Sequence, residues 1–124
     1  MSFKEINQGI SGGISFPGIL ASVAGAFVIA ATSLPWTESN YQINIIIITL
    51  AGFFGSIIDS IVGSSLQVKY KCVVCGIVTE RKSHCKSETV YLKGNKWINN
   101  DAVNFGAGIS GGLFSVILYD VFKG

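Results

Sequence analysis

The sequence is short of charge. Only 13% of its 124 residues are Asp, Glu, Lys or Arg, and the mean hydropathy is +0.53. A soluble domain carries roughly 25% charged residues, so the deficit speaks against a water-facing globule and for a lipid-facing one. Proline is scarce too, with two residues in the chain, Pro17 and Pro35. No charged n-region of the usual kind and no cleavage site precede the first apolar run, so no secretory signal is expected there. One domain is expected at this length.

What is present is long apolar runs. Residues from about Phe16 to Trp36 contain no charge, close to the ~20 residues that a spanning helix needs. Pro17 stands at its start, where a missing N–H costs least, and Pro35 and Trp36 mark its other end. The second run goes from about Ile43 to Leu66 and is broken only by Asp59; the third goes from about Ala102 to Phe122, with Asp120 near its far end. The glycines of the third run, Gly106, Gly108, Gly111 and Gly112, would weaken a soluble helix but are common in membrane helices. The expected fold is an all-α membrane protein of about three transmembrane helices (16–36, 43–66 and 102–122) in one integral membrane domain, 1–124, with a small zinc-ribbon-like β loop at 68–100 that is expected in the cytoplasm.

Lys and Arg set the expected orientation. Seven of the nine lie between Lys69 and Lys96, and the short link from Trp36 to Gln42 has none. The positive-inside rule then places the loop in the cytoplasm, together with the N-terminus and its Lys4. The C-terminus would be outside, with Lys123 in mild dissent.

Along the second run, Gly52, Ser56, Asp59 or Ser60, Gly63 and Gln67 recur at three- and four-residue spacing, which places them on one helical face. Gly18, Ser22 and Gly25–Ala26 make a similar face on the first run. Small faces let membrane helices pack closely, and packing is the plain reading of these glycines and serines. Asp59 differs, because a carboxylate facing lipid costs at least ~2.5 kcal/mol. It must face protein, water or a cation. Eight residues before Gln67, it lies about 12 Å from the cytoplasmic end of the helix. It is either a hydrogen-bonding group between helices or a functional one reached from a cytoplasmic cleft.

The loop holds all three cysteines and the single histidine, in "KCVVCGIVTERKSHC": Cys72, Cys75, His84 and Cys85. Cys-x-x-Cys followed by glycine is the usual turn of a zinc knuckle. The second pair, His84-Cys85, is adjacent, and neighbouring side chains meet one ion only if the backbone turns between them. Three readings stand: a Cys3His zinc site, three ligands with a fourth from elsewhere, or free thiols in a two-stranded ribbon. A cytoplasmic location argues against a structural disulfide. "GIVTE" and "ETVYLKG" suit a small β-ribbon. Further on, Trp97 is a candidate interfacial anchor, and Asp101 or Asn100 can N-cap the third helix. Asn104 follows about one turn into the helix. The plain reading of Asp101 is this cap; the functional reading is that Asp101 and Asn104 face Asp59 and hold Mg²⁺ together with substrate phosphates. At the other end of the chain "NQGISGGISFPG" opens a helix; it reads either as a phosphate-receiving helix start, whose backbone N–H groups bind anions, or equally as a flexible entry into the membrane.

"GFFGSIIDSIVGSSLQ", "CVVCG", "HC" and "GNKWINNDAVNF", in this order, resemble the transmembrane protein 19 family, which includes the phytyl phosphate kinase of tocopherol synthesis. "GISGGISFPGILASVAGA" is similar to the glycine-rich segment and following helix in the middle of such proteins. The resemblance implies a membrane kinase acting on an isoprenoid or polyprenyl phosphate, with CTP or another nucleotide as donor. Members of the family are roughly twice this length with about six spans, so the resemblance implies that this chain is their C-terminal half, with an N-terminal half or a second copy as partner.

On that reading Asp59, Asp101 and Asn104 serve catalysis with Mg²⁺, Gly12, Gly13, Ser60 and Gln67 receive the phosphorylated substrate, and Cys72, Cys75, His84 and Cys85 hold Zn²⁺. The expected partners are a membrane lipid and a nucleotide, with no nucleic acid. Two other readings compete with it: a non-catalytic membrane subunit with a zinc-binding loop, and a small transporter with Asp59 as its ion site.

Overall fold

The computed structural model describes residues 15–36 and 40–123. Three helices in it are long and apolar enough to cross a membrane. The first, α1, spans Phe16–Thr32. Ser15 caps it in extended backbone, its hydroxyl accepting from the Gly18 N–H at 3.2 Å, and Pro17 occupies the first turn. At the far end Ser33 closes it: the Ser33 hydroxyl donates to the Ala30 carbonyl at 2.7 Å, and a single 3-10 turn, Leu34–Trp36, follows. Helix α2 spans Tyr41–Ser65, and α3 spans Asn100–Lys123. Of the apolar 18-residue stretch in each of the three, only 6%, 17% and 11% is buried. Such bare apolar flanks are what a helix presents to lipid.

The chain divides into two compact units. Among the described residues, one comprises 15–36, 40–59 and 105–123, the other 60–104. In the first, helices meet through small residues. A Cβ added at Gly52 would lie 2.9 Å from Ala26 Cβ, so α1 crosses α2 there without room for a methyl group. Between α2 and α3 the approach is backbone on backbone: a Cβ on Gly55 would lie 3.1 Å from the Ala107 carbonyl, and one on Gly111 3.0 Å from that of Ala51. Phe54 and Phe114 stack beside this crossing with centroids 4.3 Å apart. The serines take a different part. Ser22, Ser56, Ser64, Ser65, Ser110 and Ser115 each donate to a carbonyl three or four residues back in their own helix. Their hydroxyls are thus satisfied locally, as an apolar solvent requires.

In the second unit a four-stranded antiparallel sheet forms from β1 (Lys69–Cys72), β2 (Val78–Thr79), β3 (Ser83–His84) and β4 (Ser87–Lys93), in the order β2-β1-β4-β3. It is larger than a two-stranded ribbon, because Lys69–Cys72 enters as a central strand. Tyr70 pairs with Tyr91 across it, their rings edge to face at 6.5 Å. The Val68 N–H donates to the Ile98 carbonyl and the Asn95 N–H to that of Leu66, both at 2.9 Å. These two bonds tie the start of the loop to its end.

Gln67 lies just past the end of α2, in a bridge with Asn95 rather than on the helical face its spacing suggested. The N–H groups of Leu66 and Gln67 both turn back to the Val62 carbonyl, which closes the helix. The cap of α3 is Asn99, one residue before the two candidates: its side-chain oxygen accepts from the Ala102 N–H at 2.9 Å. That leaves Asp101 in the first turn, where a carboxylate suits the positive helix end.

Candidate metal centre

The sheet brings Cys72, Cys75, His84 and Cys85 together, with one ligand atom from each lying within 4.8 Å of all the others. Each half of the site follows from local backbone. Cys72 ends β1, and the chain then folds in a knuckle: the Gly76 N–H donates to the Cys72 carbonyl at 3.0 Å, and the Cys72 N–H to the Ile77 carbonyl at 2.9 Å. Gly76 holds φ +72°, the left-handed region that a glycine enters without strain.

The other half is built by a two-residue turn. His84 pairs with Ser87 in the β3–β4 hairpin. Cys85 and Lys86 between them have φ +53° and +58°, the primed hairpin geometry that Asn-Gly ordinarily fills. For side chains with a Cβ this backbone is unfavourable, by about 1–2 kcal/mol per residue. It turns the chain between His84 and Cys85, so that the adjacent pair points into one site. The hairpin is braced by Thr89, whose N–H and hydroxyl donate to the carbonyls of Lys82 and Arg81.

Cys75 Sγ lies 3.4 Å from His84 Nδ1, Cys85 Sγ 3.2 Å from the same nitrogen, and the two sulfurs are 3.8 Å apart. With Zn–S of about 2.3 Å and Zn–N of about 2.0 Å, a tetrahedral ion has S···S edges of about 3.8 Å and S···N edges of about 3.5 Å. These three donors therefore stand at the spacing of one tetrahedral ion, with the Cys72 sulfur within 4.8 Å of each, and a soft thiolate-imidazole set is the chemistry zinc selects. Cys72 is buried, His84 half-buried, and Cys75 and Cys85 are exposed. The Cys75 backbone N–H beside Cys72 brings its thiol down to about 6, against the effect of burial, with the His84 ring and the Val74 N–H assisting. Cys85 is pushed up to about 11, first by its hydrogen bond with the Cys75 sulfur and then by burial. One thiolate is thus prepared in advance, and another forms only when a cation replaces its proton. All three cysteines are free of disulfides.

Gly12 and Gly13 lie outside the described residues. Asp59 is half-buried on α2, and no donor among the described residues reaches its carboxylate. Ser60 beside it is also half-buried, and Asp101 and Asn104 are exposed at the start of α3. Asp59 belongs to one compact unit, and Asp101 and Asn104 to the other. Gln67 is 2% exposed, and both polar atoms of its amide lack a partner among the described residues. Sequence reasoning missed the groove that opens where β4 leads toward α3, in which Lys96 Nζ stands 5.1 Å above the centre of the Tyr91 ring. Its lysine and its aromatic ring lie five residues apart with no motif to link them.

Protein PGR of Arabidopsis thaliana is 27% identical to this chain over 114 residues, which cover 84% of the chain and 38% of that protein. The chain therefore spans well under half the length of this relative. No solved structure matches it. The family described as integral membrane protein DUF92 matches residues 1–112, so the three apolar helices and the cysteine-bearing loop are those of a member of this integral membrane family.

Proposed function

We propose that this chain is the membrane-embedded part of an isoprenoid-phosphate kinase whose loop, residues 68–100, is a cytoplasmic zinc ribbon. The observation that carries the zinc assignment is the clustering of four ligand atoms within 4.8 Å. Four protein ligands leave no open position on a tetrahedral ion, so the zinc has a structural role and holds the loop in shape. Zinc analysis of the purified protein tests this. About one ion per chain is expected, and its absence, with Cys72→Ser leaving loop stability unchanged, would return the cysteines to free thiols.

The kinase half rests on the likeness to the transmembrane protein 19 family and on charge. Phosphoryl transfer needs neutralisation and positioning more than covalent help. The loop's Lys and Arg would draw in a nucleotide, Asp59, Asp101 and Asn104 would hold Mg²⁺, and Gly12, Gly13, Ser60 and Gln67 would meet the phosphorylated substrate. The buried, unpartnered amide of Gln67 supports a ligand there, since leaving such a group unmet costs about 1–3 kcal/mol. The test is nucleotide-dependent phosphorylation of a polyprenyl monophosphate by a protein of the relative's full length. No turnover with any nucleotide would reject it.

The closed ligand set favours a second reading, a non-catalytic membrane subunit whose zinc loop binds a partner. A transporter would instead give gradient-dependent flux in vesicles.

A further inference from the structure

A groove of about 580 Å³ opens between the last turn of α2 and the end of the sheet, lined in part by Ser65, Leu66, Tyr91, Asn95, Lys96 and Trp97. Its chemistry changes from one side to the other. Leu66 is 50% exposed and Trp97 90% exposed, which leaves apolar surface bare. Lys96 brings a cation, held over the Tyr91 ring. The Tyr91 hydroxyl is occupied, donating to the Gly94 carbonyl at 2.6 Å, and the Asn95 side-chain oxygen accepts from the Trp97 N–H at 3.0 Å. The lysine is thus the one cationic group of the lining. Its surroundings are biased the same way, with seven Lys and Arg against two Glu in residues 68–100.

The groove's place along the chain sets where it meets the bilayer. Ser65 is the last residue of the second span, and Asn100 the first of the third. Residues 65–66 and 94–97 therefore lie where apolar spans give way to polar loop, at headgroup depth. A bare tryptophan is typical of that layer, and a lysine beside it attracts anionic lipid. The geometry points to a binding site in this groove for the phosphate headgroup of an anionic membrane lipid, with Lys96 as its counter-charge and Trp97 and Leu66 against its acyl chains. This site is independent of the kinase reading: a non-catalytic membrane subunit would carry it equally.

The experiment places the full chain, carrying Trp36→Phe so that Trp97 is its single tryptophan, in phosphatidylcholine vesicles. Acyl-brominated phosphatidylglycerol and acyl-brominated phosphatidylcholine are compared as quenchers at equal mole fraction. The expected result is an apparent affinity about fivefold higher for phosphatidylglycerol, the effect of about one lysine at an anionic surface, which shrinks as salt is raised. Lys96→Gln should remove the preference, Lys96→Arg should keep it, and Lys71→Gln, outside the groove, should leave it intact. Equal quenching by both lipids, or a preference that survives Lys96→Gln, overturns the proposal and leaves Trp97 a simple interfacial anchor. Should Lys96→Gln fail to fold by circular dichroism, the salt titration of the parent decides alone: a preference insensitive to salt overturns it.

Discussion

Gly94 holds φ +92°, and a Cβ there would lie 2.7 Å from the Gln67 carbonyl carbon and 2.8 Å from Val68 Cα. The strand leaving the sheet passes this close because Asn95 and Gln67 bridge the two ends of the loop. Gly94→Ala should therefore destabilise the loop by about 2 kcal/mol or more, since conformation and contact both oppose it. Gly76→Ala meets open space at a similar φ and should cost only about 1 kcal/mol. Thermal unfolding of the two variants in detergent separates these expectations. Asp59 is the other residue on which much depends. With no donor among the described residues on its carboxylate, the interhelical hydrogen bond that would explain it as a structural group is not made there. Asp59→Asn keeps size and hydrogen-bonding capacity and removes charge. If the carboxylate holds Mg²⁺, the full-length protein should insert normally and lose turnover. If it only supports packing, the amide, of the same size and shape, should substitute with little loss. A fully active variant would end the catalytic assignment of Asp59.

At the scale of elements, the helices were legible because charge-free length alone defines a span. The way they pack was legible only in part. Sequence spacing marks Gly52 and Gly55 as small, but equally Gly25, Gly106, Gly108 and Gly112, at which an added Cβ meets nothing within 4 Å. Which glycine sits at a crossing depends on the neighbouring helix. Gly111→Leu should force α2 and α3 apart and cost several kcal/mol, while Gly112→Leu, one position round the helix, should be nearly neutral in detergent. The loop divides in the same way. Cys72-Val73-Val74-Cys75-Gly76 turns as its spacing says. The His84-Cys85 pair reads as unfavourable, because a left-handed turn made by Cys and Lys carries no compositional signal. Only the pairing of His84 with Ser87 reveals it.

The metal centre gives this element a pH dependence whose sign can be worked out. Ions bind the thiolates, so loading displaces whatever protons the site holds. Cys72, brought down to about 6, is already thiolate at neutral pH. Cys85, pushed up to about 11, is not. Zinc binding near pH 7 should release at least the Cys85 proton and weaken by about tenfold for each unit the pH falls. Below about 6 the Cys72 proton must go as well, and the dependence should steepen. Competition with a chelator across pH 5 to 8 measures the slope. A pH-independent affinity would mean that Cys85 is not a ligand.

For the whole molecule, the distribution of charge argues that the loop faces the cytoplasm, with seven of nine Lys and Arg in it. The protein carries its own reporter, because all three cysteines lie in that loop, and Cys75 and Cys85 are exposed. A membrane-impermeant maleimide added to intact cells should leave the protein unlabelled. After permeabilisation with a chelator present, so that metal no longer shields the thiols, Cys75 and Cys85 should label readily. The buried Cys72 should lag behind them until the loop unfolds. Chelation matters to the logic, since a zinc-loaded site resists the reagent from either side and would imitate a protected location. Labelling of Cys75 or Cys85 in intact cells under chelation would place the loop outside. The same result would remove the basic loop from contact with any cytoplasmic nucleotide, so topology and the kinase proposal are tested by one measurement.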